Sequence, residues 1–153
     1  MTHQELWAAY RAVNPDAGED YEPWAYGADP DTLARLTLEG VKTATASAGV
    51  WYERGEEPLP QPGEYSVILD GRDQAVCVIR TTNVYTVPFD QVSEEQAYRE
   101  GEGDRSLAYW RRVHEDFFRT DLAEAGLEFS PEMPVVCEEF EMVWPPAGPT
   151  EES

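Results

Sequence analysis

Lysine occurs once in this chain of 153 residues, at Lys42, while ten arginines carry the rest of the fixed positive charge. The two types differ where a proton has to leave, because an ammonium can be neutralised by its surroundings and a guanidinium cannot. Thr45 and Ser47 follow Lys42 within five residues, and the run Glu100-Gly101-Glu102-Gly103-Asp104 supplies carboxylates from a later glycine-rich stretch. A neutralisable amine, hydroxyls and loop carboxylates are the parts from which acid–base chemistry is assembled. The same residues also suit an ordinary surface lysine and a strand threonine, and composition leaves both readings open. Other chemistries find less material. A serine triad would have to use His3 or His114, and His114 falls inside a helical pattern among Arg and Glu. No phosphate-loop or dinucleotide motif and no GxSxG elbow occurs. Cys77 and Cys137 lie sixty residues apart in apolar runs, as small buried hydrophobes do, and neither cysteine nor histidine shows a metal-ligand spacing. No metal or cofactor is expected.

These residues need elements to hold them. Thr2 to Val13 reads as a helix with a Thr2/Glu5 capping box and an apolar stripe of Leu6, Trp7, Tyr10 and Val13. Asp16 to Asp29 reads as an acidic, turn-rich loop with Tyr21, Trp24 and Tyr26 packed on something. A second helix from Asp29-Pro30 to about Leu38, with Leu33, Leu36 and Leu38 inward, ends at Gly40. The segment from Val41 to Ser47 then alternates like a short strand, which would send Lys42 and Thr45 to opposite faces unless the chain bends between them. Glu64–Asp70 and Gln74–Val87 read as strands, the second bent near Thr81 to Asn83. A short helix capped by Ser93, a loop through Asp104, a long helix from Ser106 to about Ala125 and a last strand from Pro134 to Trp144 complete the order. In the long helix Leu107, Trp110, Val113, Phe117 and Leu122 share one face. The order is α+β with four to six strands and no βαβ repetition, which fits a small mixed β-barrel with flanking helices. One domain over residues 1–145 and a disordered tail over 146–153 are expected.

The formal net charge is −20. Non-specific attachment to nucleic-acid phosphates or to an anionic membrane needs Lys and Arg in excess, so neither is expected, and no DNA partner is expected. No signal segment and no membrane-length apolar run is visible, which predicts a cytoplasmic protein with reduced thiols. A neutral small molecule is admitted by an acidic surface more readily than a long polyanion.

The stretch GVKTATAS resembles the GxKxxT signature of the ASCH domain, a PUA-like β-barrel fold. WAYG, GEGDRSLAYWRRVHEDFF and PVVCEEFEMV resemble further blocks of one ASCH subfamily, so the likeness runs from about Trp24 to Val143. This subfamily is larger than the minimal members and carries an extra N-terminal helix. The resemblance implies a PUA-like mixed barrel with helices around a cleft, and tasks connected with RNA and modified nucleosides. In some members an amidohydrolase removes the acetyl group from N4-acetylcytidine. There a Lys is the base, a Thr three residues on is the nucleophile and a loop Glu is the proton donor, which places Lys42, Thr45 and Glu102 in those roles, with Glu100 the alternate acid. Other members bind or cleave RNA, so the same cleft read as an RNA- or nucleotide-binding module is the second implication. Trp24, Tyr26, Trp51 and Tyr52 are candidates to stack on a base, and Ser47, Arg54 and Arg105 to meet its polar atoms or a phosphate. Packing and pairing with nearby acids are the alternatives for each.

Overall fold

The computed structural model describes residues 1–146; the expected tail falls, apart from Pro146, outside the described residues. Its elements in chain order are α1 (His3–Val13), β1 (Glu22–Ala25), α2 (Pro30–Leu38), β2 (Ala44–Ala48), α3 (Val50–Glu53), β3 (Tyr65–Leu69), β4 (Ala75–Pro88), α4 (Glu94–Glu100), α5 (Leu107–Glu124) and β5 (Pro134–Trp144). The strands form one sheet in the order β1-β3-β4-β5-β2. β1 runs parallel to β3, and every other neighbouring pair is antiparallel. The sheet is curled into a half-barrel with helices on its flanks, the mixed α/β architecture of PUA-like folds.

Three apolar clusters hold the layers together. Leu6, Trp7 and Tyr10 of α1 pack on Val67, Leu69 and Val78. Tyr26 and Ala34 pack on Ile68, Cys77, Ile79 and Phe140. Trp110, Phe118 and Leu122 of α5 pack with Phe89, Val92, Ala97, Ala48, Val135 and Cys137. Side-chain alternation therefore sends Ala46, Ala48, Val135 and Cys137 toward α5, and sends Thr45, Ser47, Val136 and Glu138 to the opposite face. Both cysteines are free and buried, and desolvation pushes each thiol up to about 12.

Several sequence expectations change. The aromatic loop contains β1: Trp24 lies on a strand paired with Ile68, because the parallel partner β3 supplies hydrogen bonds that no local signal announces. The α1 stripe stops at Tyr10, and Val13 is 59% exposed at the fraying end. In α2 the buried residues are Ala34 and Thr37, with Leu33 and Leu38 partly buried beside them. In α5 Phe118, not Phe117, is the fully buried phenylalanine. The expected bend in β4 is a bulge, with the register to β5 shifting between Thr81 and Asn83. The first strand after α2 begins only at Ala44, which bears directly on the site.

Candidate functional site

The segment carrying Lys42 is fixed at both ends by backbone bonds. Gly40 takes the left-handed conformation (φ 79°) past the end of α2, and the amides of Val41 and Lys42 both donate to the Leu36 carbonyl, at 3.0 and 3.1 Å. The Thr43 amide donates to the Arg99 carbonyl of α4 at 2.7 Å. Lys42 thus bridges the C-terminal ends of α2 and α4 before the strand starts. The alternation that would oppose it to Thr45 does not apply.

Lys42 is 1% exposed. Its Nζ donates to Glu102 Oε2 at 2.7 Å and lies 3.4 Å from both Glu100 Oε1 and the Glu100 carbonyl oxygen. It also sits 5.1 Å from the centroid of the Tyr26 ring, a cation–π contact. Glu102 is 17% exposed, so the pair opens to solvent on the Glu102 side. The glycines beside Glu102 are steric necessities. A Cβ on Gly101 (φ 74°) would stand 2.7 Å from the Val41 carbonyl oxygen, and one on Gly103 (φ 58°) would overlap the Tyr109 ring. Arg105, itself at φ 65°, closes the loop: its guanidinium lies 3.7 Å from the Tyr98 ring centroid and donates to the Tyr98 carbonyl at 3.0 Å.

Behind this pair lies a buried polar cluster. Glu100 is 1% exposed, and its Oε2 accepts from Trp110 Nε1 at 2.6 Å and from Gln96 Nε2 at 3.0 Å, while Oε1 faces His114 Nε2 at 3.3 Å. Burial alone would raise the Glu100 carboxyl, but Lys42 first and then His114 and Trp110 outweigh it and bring it to about 2. His114 Nδ1 faces the Trp110 carbonyl at 2.9 Å, so both ring nitrogens meet acceptors, the pattern of a doubly protonated imidazole. Burial works against that charge, but Glu100 raises the His114 pKa on balance. Two cations and two carboxylates then cancel within one enclosed cluster, which is the condition under which buried charge is tolerated.

The remaining predicted residues fall as follows. Thr45 is on β2; its carbonyl accepts from Gln96 Nε2 at 3.2 Å, and its Cα is the cross-strand partner of Glu138. Among the described residues no hydrogen bond joins the Thr45 hydroxyl to Lys42. Ser47 points to the same face as Thr45 and shares a 2.7 Å hydrogen bond with Tyr52. Tyr26 joins the site through Lys42, and Trp24 stands edge-on to Tyr26 at 5.0 Å. Trp51 is turned toward α5, donating to Asp121 at 3.0 Å, and Arg54 is paired with Glu56 at 2.9 Å on the surface. The site brings together Lys42, Glu102, Glu100 and Tyr26, and spends Trp51, Arg54 and Arg105 on local packing and pairing. Sequence reasoning missed Gln96, Trp110 and His114. The spacings Gln96–Glu100 and Trp110–His114, each four apart on a helix, were the available signal. Two surface grooves, one beside Asp31 and Arg72 and one beside Thr43 and Arg99, exclude Lys42, Thr45 and Glu102. Among the described residues no helix is long and apolar enough to cross a membrane.

Residues 22–144 match the family described as the ASCH domain. The chain is similar to the crystal structure of an ASCH domain from Lactobacillus crispatus, at 33% identity over 92% of each chain with a TM-score of 0.82. It is similar at 36% identity to the protein EF3133 from Enterococcus faecalis, over 92% of this chain and 86% of that one, with a TM-score of 0.83. The hypothetical protein PH0355, at 14% identity over 80% of this chain and 98% of that one, with a TM-score of 0.54, shares the fold alone. Among curated proteins nothing matches the chain.

Proposed function

The chain belongs to the ASCH domain family, and from that premise we propose that it is an amidohydrolase of small acylated nucleosides such as N4-acetylcytidine. Lys42, Thr45 and Glu102 are its reacting groups. The observation that carries this reading is the 2.7 Å contact between Lys42 Nζ and Glu102 Oε2 at the mouth of a buried, charge-balanced cluster. Threonine is a weak nucleophile until a base takes its proton. A proton passed from Nζ to Oε2 converts the ion pair into a neutral amine and a carboxylic acid, which are the base and the acid that amide hydrolysis needs. Two groups so close exchange that proton as one unit. Glu100 is matched by His114, so the front pair is left net neutral.

In the first half-reaction the Lys42 amine takes the Thr45 hydroxyl proton and Oγ1 attacks the amide carbon. The C–N bond then breaks as the Glu102 acid protonates the leaving nitrogen. An acyl ester on Thr45 and the free amine result, with Lys42 an ammonium and Glu102 a carboxylate. Water then attacks the ester carbon, giving up one proton to Glu102 and keeping the other as the hydroxyl of the new acid; the proton that Lys42 took earlier returns to Thr45 Oγ1 as the ester bond breaks, restoring the starting pair and releasing the carboxylic acid. The missing Thr45–Lys42 hydrogen bond is ordinary for a free enzyme, where such contacts tighten only around substrate.

A nucleotide-binding module that uses Lys42 to hold a phosphate is the competing reading. The burial of Lys42 and its two carboxylate partners weigh against it, as does the net charge of −20. Purified protein incubated with N4-acetylcytidine should release cytidine, followed by chromatography, and Thr45→Ala and Lys42→Arg should each abolish release while remaining folded by circular dichroism. Full turnover by Thr45→Ala would remove threonine from the mechanism, and no turnover by the folded wild type would remove the hydrolase.

A further inference from the structure

One carboxyl on the Thr45 face has no part in the scheme above. Glu138 of β5 stands directly across from Thr45 of β2. Directly opposed residues on neighbouring antiparallel strands project to the same face with Cβ atoms about 5 Å apart. Its Oε2 accepts a 2.6 Å hydrogen bond from Thr81 Oγ1 on β4. Its Oε1 takes no hydrogen bond among the described residues and is not sealed from solvent. Thr81 is itself 1% exposed, so the carboxyl is oriented from behind by a donor with nowhere else to go. On the same face lie the Ser47–Tyr52 hydroxyl pair and the Tyr26 ring, which packs with Phe140 two residues further along β5. Lys42 stands over the Tyr26 ring, 5.1 Å from its centroid, with its charge already met by Glu100 and Glu102. One oriented, partly exposed carboxyl oxygen beside the nucleophile is a contact point for a substrate.

The chemistry of the leaving group says what it would contact. When the C–N bond of an acylated aminopyrimidine breaks, negative charge develops on the leaving nitrogen and is shared by the ring nitrogen next to it. A hydrogen-bond donor at that ring nitrogen is worth more in the transition state than in the ground state, which is the condition for raising turnover. Resting on the hydrolase reading, we propose that Glu138, as the acid, donates from Oε1 to the ring nitrogen adjacent to the acylated amino group, and so makes the enzyme selective for N-acyl aminopyrimidines over acylated amines that lack that nitrogen. Burial, aided by the charge of Glu64 and opposed by the Thr81 bond, raises the Glu138 pKa and extends the range of its donor form.

The test deletes one atom of the substrate. Wild-type protein should prefer N4-acetylcytidine over N4-acetyl-3-deazacytidine in kcat/KM by about tenfold or more beyond the ratio of their uncatalysed hydrolysis rates, the discrimination one buried hydrogen bond supports. Glu138→Gln keeps a donor and an acceptor for Thr81 and should retain the preference. Glu138→Ala should bring the preference down to the ratio of the two compounds' uncatalysed hydrolysis rates, a result that general loosening of the fold would not give. Turnover with no preference beyond the uncatalysed ratio in the wild type, or an unchanged preference in Glu138→Ala, would overturn the role of Glu138 and leave the hydrolase standing. If the wild type turns over neither compound, the hydrolase reading fails by itself, and calorimetric binding of cytidine against 3-deazacytidine decides the contact. Tighter cytidine binding that Glu138→Ala abolishes supports the contact, and equal binding overturns it.

Discussion

Glu100→Gln probes the buried cluster that holds Lys42 in place. The substitution preserves shape and volume but exchanges one acceptor oxygen for a donor. Glu100 now accepts from Trp110 and Gln96 through one oxygen and faces His114 and Lys42 with the other. Whichever way the amide turns, its nitrogen meets two donors. Two independent magnitudes agree. Breaking a buried ion pair by removing one partner costs about 3–5 kcal/mol. The fall of the Glu100 carboxyl from an ordinary 4.5 to about 2 corresponds to roughly 3 kcal/mol. A loss of that size lowers Tm by roughly 6–12 °C in a chain of this length. The pH dependence identifies the cause. A carboxyl whose pKa is depressed on folding stabilises above its unfolded value and loses that stabilisation as pH falls through the folded one. Urea titrations of both proteins should therefore show a stability difference that widens as pH falls from 7 to about 5, because His114 takes up its proton more readily beside Glu100 than in the variant. Below 4.5 the difference should shrink by roughly 1.4 kcal/mol per pH unit. A variant within 1 kcal/mol of wild type at pH 7, or a difference that ignores pH, would refute the account of Glu100 as the charged hub.

Two further outcomes follow from the same geometry. The His114 ring, followed by its NMR proton shifts, should titrate above the ordinary 6.5 in the wild type and below it in Glu100→Gln; its raised pKa stabilises the fold below about 6.5 and stops doing so as pH climbs through the folded value. Gly101→Ala should cost about 2 kcal/mol or more by chemical denaturation, because the residue holds φ 74° and its Cβ would press on the Val41 carbonyl; an unchanged midpoint would show that the loop adapts freely.

Much of the scaffold was written locally. Capping residues Thr2, Ser93 and Ser106 start helices where the sequence places them, because a side-chain oxygen satisfies a free amide within three residues. Gly40 and Gly101 end α2 and α4 because only glycine enters the left-handed region cheaply. The solitary Lys42 and the Lys-x-x-Thr spacing singled out one segment, and the carboxylates of Glu100 and Glu102 were both in view. β1 was not legible, since a four-residue strand is stabilised by a partner more than forty positions away. Neither was the division of labour between the two acids. Glu102 touches Lys42 from the open side and Glu100 is enclosed, a difference of two residues that follows from Gly101 turning the chain at the end of α4. The roles of His114, Trp110 and Gln96 needed α4, α5 and the Lys42 segment packed together before their atoms could meet. Sequence alone determined which residue types and caps were available, because those depend on covalent chemistry and near neighbours. Tertiary structure decided which charges were buried and which faced one another, because Coulomb energy and desolvation depend on distances that only the packed chain sets.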